Sequence, residues 1–134
     1  MKFFSLSVIS ILLFLSLGSC KKIEGPGGSS SIIGNLQRVA YNSDSTIFYQ
    51  IDLAKEDVFI IYGSDNTVHN DDVETSYNGS FSFDYLEEGN YQVYVYEDCK
   101  ALDCKPGEKV VLLFDVEIID KKSIVDLGVI LVEK

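Results

Sequence analysis

The stretch from Asn78 to Tyr96, NGSFSFDYLEEGNYQVYVY, decides the fold class of this 134-residue chain. Asn78-Gly79 is a turn pair that accepts positive φ at both positions, and alternating apolar residues follow it directly. A second turn pair, Gly89-Asn90, separates two such alternating runs. A period of two places alternate side chains on one face of a strand. The residues predicted to face the core are Phe81, Phe83, Leu86, Tyr91, Val93 and Val95.

The rest of the chain supplies further β-rich segments and no clean helical period. The predicted strands are Ile32–Tyr41, Ile47–Leu53, Val58–Tyr62, Val73–Tyr77, Phe81–Asp84, the strand of Tyr91, Lys109–Ile119 and Ile124–Val132. Ile47–Leu53 also fits an irregular lead-in. Val73–Tyr77 is expected to pair with Phe81–Asp84 across the Asn78-Gly79 turn, and Lys109–Ile119, apolar on both faces in its first half, to be a central strand. Gly128 is the expected site of a bulge in the last strand.

These segments fit one domain of residues 32–134 with about seven strands in an antiparallel, all-β sandwich. The pattern Gly-x-Phe-x-Phe-x-x-Leu-x-x-Gly-x-Tyr-x-Val-x-Val, starting at Gly79, resembles the carboxypeptidase-regulatory-like, or prealbumin-like, domains. The resemblance covers most of Val58 to Val132, including the VDLGVILV ending. It implies an accessory or structural module and brings no catalytic residue. Related stalk modules carry a lysine–asparagine crosslink, but here the first strand lacks lysine and the last strand lacks asparagine.

The N-terminus has the features of an export signal. Lys2 gives a positive start, and the apolar run from Phe3 to Leu17 is too short to span a bilayer comfortably. Leu17-Gly18-Ser19-Cys20 resembles the bacterial lipobox, which implies cleavage after residue 19 and acylation of Cys20. An ordinary cleavage site beside an incidental cysteine is the alternative. Several acyl chains hold a protein stably on a membrane without a span.

The residues after Cys20 predict a tether and a location. Residues 20–31 are rich in glycine and serine, and from Ile23 to Ser31 the chain is expected to be a flexible linker. No aspartate follows Cys20 at the position that retains many lipoproteins at the inner membrane. We therefore expect the outer membrane, with the facing leaflet undecided.

The charge of the chain argues against one class of partner. The formal net charge is −10, and it becomes −11 once residues 1–19 are removed, because that segment holds Lys2 and no carboxylate. Acidic domains repel phosphate backbones, so nucleic acid is not an expected partner. The acidity otherwise keeps a tethered domain soluble.

Cys99 and Cys104 lie in the connection EDCKALDCKPGEK. In an exported domain whose third cysteine is acylated, they are expected to form a disulfide if their Cα atoms come within about 7 Å. A redox or metal role is the alternative, but the Cys-x4-Cys spacing is not that of thioredoxin.

The polar loop from Ser64 to Asp72 contains oxygen-bearing side chains of the type that calcium prefers. Their spacing matches no EF-hand loop, and a solvated turn is the favoured interpretation. His69 is the only histidine in the chain, so a site built on paired histidines is excluded. We predict neither a metal nor a cofactor.

Enzymatic motifs are missing from the sequence, and a non-catalytic role is expected. The chain has no nucleophile elbow, no HExxH and no phosphate loop. Two classes remain: a structural or assembly module that contacts an envelope protein, and a surface module that binds a glycan or a protein. Tyr94 and Tyr96 are predicted to point outward, where they form either a ligand contact or ordinary cross-strand pairs.

Overall fold

The computed structural model describes residues 24–64 and 68–134, and within these ranges the chain folds into eight β-strands. The strands are β1 (Pro26–Tyr41), β2 (Ile47–Asp52), β3 (Asp57–Tyr62), β4 (Asp71–Glu74), β5 (Ser80–Leu86), β6 (Gly89–Asp98), β7 (Lys109–Ile118) and β8 (Ile124–Glu133). No helix in the described ranges is long and apolar enough to cross a membrane. The predicted signal peptide and Cys20 lie outside the described residues.

The strands form two four-stranded sheets, which confirms the predicted all-β sandwich with eight strands in place of about seven. In the first sheet, the long strand β1 pairs with β2, β5 and β8; the second sheet has the order β4-β3-β6-β7. All pairs are antiparallel except that of β1 with β8, which is parallel and departs from the predicted arrangement. Two residues of β8, Leu127 and Gly128, oppose Gly34 alone, and this is the predicted bulge.

The inner faces of both sheets form one core. All six residues that the alternation assigned to it are buried, and Tyr91, Val93 and Val95 are at most 1% exposed. The remaining members come from the neighbouring strands: Ile32, Leu36, Val58, Ile60, Val116, Ile118, Ile130 and Val132. The period of two therefore assigned the inward faces of β5 and β6 correctly.

The predicted flexible linker was wrong from Pro26 to Ser31, because β1 begins at Pro26. Pro26 and Ser30 both pair with Leu86 of β5. Ser30 is buried, and its hydroxyl donates to the carbonyl oxygen of Asp120 and accepts from the amide of Ser123. Hydrogen bonds thus order a segment that has almost no apolar side chains.

A buried tyrosine fixes the start of this ordered segment. The Tyr91 hydroxyl donates to the carbonyl oxygen of Glu87 at 2.7 Å and accepts from the Gly25 amide at 3.0 Å. A tyrosine bonded to the backbone a few residues upstream is the tyrosine corner of β-sandwiches. Burial raises the pKa of Tyr91 above its ordinary value.

The predicted hairpin across Asn78-Gly79 was also wrong, although the turn itself forms. Gly79 has a φ of 75°, and its amide donates to the carbonyl oxygen of Ser76. β4 pairs with β3 in the second sheet, whereas β5 pairs with β1 in the first. The Gly79 carbonyl oxygen accepts from the Leu36 amide of β1, so the turn carries the chain from one sheet to the other.

The expectation that the strand from Lys109 is central was wrong as well. β7 is the last strand of the second sheet, and among the described residues it pairs with β6 alone. Its first half keeps three side chains exposed, those of Val110, Val111 and Leu113. An apolar strand therefore lies at a sheet edge.

Candidate functional site

The outer face of the second sheet carries a continuous group of apolar and aromatic side chains. The β-sheet register places Phe59 of β3 opposite Tyr94 of β6, and Tyr94 opposite Leu113 of β7. Tyr96 lies opposite Val111 in the next outward-facing row. We call this group the outer patch, and its members are Phe59, His69, Tyr94, Tyr96, Val111 and Leu113.

The rings of the outer patch pack against one another. The Phe59 and Tyr94 rings stack with centroids 5.0 Å apart and planes at 17°, and Tyr96 meets each of them edge-on at 5.6 Å. His69 adds a fourth ring at 4.9 Å from Phe59, and its Nδ1 lies 3.4 Å from the Tyr94 hydroxyl. Cross-strand aromatic packing of this kind stabilises the sheet.

Exposure divides the two tyrosines that the sequence assigned to the outer face. Both lie there, but Tyr94 is only 8% exposed, while Tyr96 is 39% exposed. Burial between its neighbours raises the pKa of Tyr94 above its ordinary value, and the nearby Tyr96 adds to the shift. Of the pair, Tyr96 is the residue that a ligand can reach directly.

The two aliphatic members enlarge the exposed surface. Val111 is 51% exposed and Leu113 is 47% exposed, and both lie on the strand at the sheet edge. The sequence did not indicate Val111 and Leu113 as site residues, because their strand was expected to be a central one. Contiguous apolar surface of this kind, when rimmed by polar groups, marks interaction sites.

Polar contacts border the outer patch on three sides. At the end of the patch nearer the start of β6, the Gln92 side-chain amide donates to the Asp115 carboxylate at 2.8 Å. At the opposite end, near the disulfide loop, the Lys109 ammonium lies 3.5 Å from the Asp98 carboxylate. At the side formed by β3 and β4, the His69 ring lies 3.9 Å from the Asp72 carboxylate. The arrangement is an apolar centre within a polar rim, as in protein interfaces.

The predicted disulfide is present. Cys99 and Cys104 are bonded in the loop between β6 and β7, with their Cα atoms 5.8 Å apart. The Cys99 amide donates to the Glu108 carbonyl oxygen at 2.9 Å, which closes the base of the loop. The bridge lies just beyond the outer patch and fixes the connection between the two strands that carry most of it.

The polar loop before β4 gives no metal site among the described residues. Asp65 and Asn66, two of its oxygen-bearing side chains, lie outside them. In the parts that the structure describes, no three histidine, cysteine, aspartate or glutamate side chains group as metal ligands would. His69 instead packs on Phe59, a role that the sequence did not predict.

Comparisons with known proteins assign neither a family nor a function to the chain. No protein-family model matches the chain, and no curated protein matches its sequence. A candidate carbohydrate-binding protein from Pseudomonas aeruginosa has a similar structure, with a TM-score of 0.47, 14% identity, and coverage of 83% of this chain and 92% of that chain. A 9R-lipoxygenase from Cyanothece gives a TM-score of 0.37 and 14% identity over 94% of this chain, which spans only 20% of the lipoxygenase.

Proposed function

We propose that the chain is a non-catalytic, lipid-anchored module of the bacterial cell envelope that contacts a protein partner through the outer patch. The observation that carries the proposal is the exposed apolar surface of Tyr96, Val111 and Leu113 inside a polar rim. Exposed aromatic and aliphatic groups together are typical of the centre of a protein interface.

A protein partner fits the outer patch better than a sugar does. A carbohydrate platform needs open ring faces, but Tyr94 is nearly buried and its ring stacks on Phe59. The two exposed aliphatic side chains add area without a ring. Binding of a glycan through Tyr96 is the second candidate, since its ring is the one exposed tyrosine ring in the patch.

The proposed anchor is Cys20, and its motif and position support it. The lipobox resemblance supplies the acylation site, and the absence of aspartate after Cys20 favours the outer membrane. Only Lys21 to Glu24 separate Cys20 from Gly25, whose amide donates a hydrogen bond to the Tyr91 hydroxyl. Four residues span at most about 18 Å between the flanking Cα atoms, so the folded domain would lie close to the membrane surface.

The direction of β6 would then point the outer patch away from the anchor. Gly25 packs at the start of β6, near Tyr91, whereas the disulfide loop follows its other end. Tyr94 and Tyr96 lie toward that far end. A partner could therefore reach them without displacing the tether.

The test is site-specific photocrosslinking of the full chain in cells. Benzoylphenylalanine replaces Tyr96, Leu113 or, as a matched control, Tyr77, which is 96% exposed and lies outside the outer patch. We expect an adduct of one defined mass from positions 96 and 113 and none from position 77. A Cys20→Ser variant should leave the membrane fraction and lose the adduct.

The opposite outcomes are equally informative. If the anchored chain gives no protein adduct at position 96 or 113, the protein-contact proposal is refuted, and glycan retention that Tyr96→Ser abolishes would establish the second candidate. A membrane-bound Cys20→Ser variant would refute the anchor. Protease shaving of intact cells, with a lysed control, then decides between the surface and the periplasmic face.

A further inference from the structure

The free edge of β7 is long, regular and apolar. Its pairing with β6 runs through ten residues, Lys109 to Ile118, without a register shift. It contains no proline, and no described residue pairs with its other side. Such an edge presents unpaired backbone donors and acceptors to any strand of matching shape.

Two other edge strands in the described part of the chain, β4 and β8, carry protective features that β7 lacks. β4 has four residues, three of them acidic. β8 is interrupted by the bulge at Gly128, whose φ is 69°. Short, charged or bulged edges resist pairing with another chain. β7 has no bulge, and with ten residues it is longer than the other outer strands β2 and β5, so its edge is open to pairing.

We propose that β7 pairs antiparallel with β7 of a second copy of this chain, about a two-fold axis through Leu112. This register places Lys109 of each copy opposite Asp115 of the other, and Val111 opposite Leu113. The four side chains share the outer face of the sheet, because they alternate along one strand. The strand is thus complementary to itself in both charge and apolar content.

The neighbouring register is poorer. Moving the axis to Leu113 retains a lysine–carboxylate pair, Lys109 with Glu117, but sets Val111 opposite Asp115. Directly opposed groups on one face contribute most to strand pairing, and an aliphatic residue facing a carboxylate loses both its apolar contact and its ion pair. The register about Leu112 avoids this mismatch at every outward position from 109 to 115.

The pairing goes beyond the proposed function and is made by the backbone edge of β7, although Val111 and Leu113 take part in both. It occupies the edge of β7, whereas the proposed partner covers the face of the outer patch. Two joined sheets would bring Val111 and Leu113 of both copies together and extend the patch across the axis. Loss of the pairing need not abolish partner contact, and the tests therefore differ.

The experiment is charge exchange between two differently tagged full-length copies in the same cells, followed by detergent solubilisation and co-purification. Wild-type copies should co-purify. Lys109→Glu in both copies, or Asp115→Lys in both, sets like charges opposite each other twice and should lower recovery about tenfold. A Lys109→Glu copy together with an Asp115→Lys copy restores both attractive pairs and should recover the wild-type level.

Restoration distinguishes pairing from folding defects and from shared micelles, because neither of those depends on which variants are combined. Glu117→Lys is the matched control on the same face, and it should leave recovery unchanged. Equal recovery in all combinations, or failure of the mixed pair while each variant retains wild-type circular dichroism, would overturn the proposal. Loss with Glu117→Lys in place of Asp115→Lys would overturn the register.

Discussion

Replacing Tyr91 with phenylalanine tests how the ordered segment before Ser31 is held. The substitution keeps the ring, which lies in the core and is 1% exposed, and removes only the hydroxyl. That hydroxyl donates to Glu87 and accepts from the buried Gly25 amide. The change therefore deletes two hydrogen bonds without opening a cavity.

The expected cost follows from these two bonds. A net hydrogen bond contributes about 1 kcal/mol, and an orphaned buried amide costs about 1–3 kcal/mol. Tyr91→Phe should therefore lower the free energy of unfolding by about 2–4 kcal/mol. Most of this cost should arise at Gly25, because the Tyr91 hydroxyl is the described acceptor of its amide hydrogen.

Urea unfolding with an unchanged m-value measures the loss as a shift in midpoint. Tyr77→Phe is the matched control. Because Tyr77 is exposed, this variant should have the same urea midpoint as the wild-type protein. Hydrogen exchange should show faster exchange of the Gly25 amide in Tyr91→Phe. A loss below about 0.5 kcal/mol, with Gly25 still protected, would refute the tyrosine corner as the clamp on this segment.

Two further predictions concern pH and the disulfide. Burial raises the pKa values of Tyr62, Tyr91 and Tyr94 in the fold, so the unfolded chain releases these protons first; stability should hold up to about pH 10 and fall as pH rises through the folded-state values. Urea midpoints at rising pH measure this, and a flat alkaline limb would contradict it. The double variant Cys99→Ser, Cys104→Ser removes the disulfide, which closes only a short loop. It should therefore lower the free energy of unfolding by at most about 2 kcal/mol. Hydrogen exchange should rise between Ala101 and Glu108 while β6 stays protected, and global unfolding would be the contrary result.

Local alternation predicted the core because it is a property of one strand. Successive side chains point to opposite faces whatever the strand pairs with. Phe81, Phe83 and the inward residues of β6 could therefore be assigned without a topology. The same reasoning gave no information on partners, and the predicted pairing failed where partners mattered.

The hairpin prediction was wrong because a turn signal does not determine which strand the following segment pairs with. Asn78-Gly79 reverses the chain as predicted, but β5 finds its backbone partners on β1, more than forty residues earlier in the sequence. That choice depends on how the two sheets stack. A sequence window around the turn does not contain it.

Glycine content misled the linker prediction for a different reason. A Cβ at Gly28 would lie 2.0 Å from the carbonyl oxygen of Leu86, so the backbone approaches β5 more closely than any side chain permits. Glycine here allows close packing, which is its other common use. Composition alone does not separate that use from flexibility.

The edge strand connects the wrong prediction with the new proposal. The first half of β7 is apolar on both faces, a pattern typical of strands whose two faces are both covered, as those in the middle of a sheet often are. The described fold supplies a neighbour on one side only and leaves Val111 and Leu113 exposed. If a second copy pairs along Lys109 to Asp115, β7 becomes the central strand that its sequence predicts. The dimer would then explain the central position of β7, and a protein partner on the outer patch would explain its apolar outer face. The charge-exchange experiment tests the first explanation.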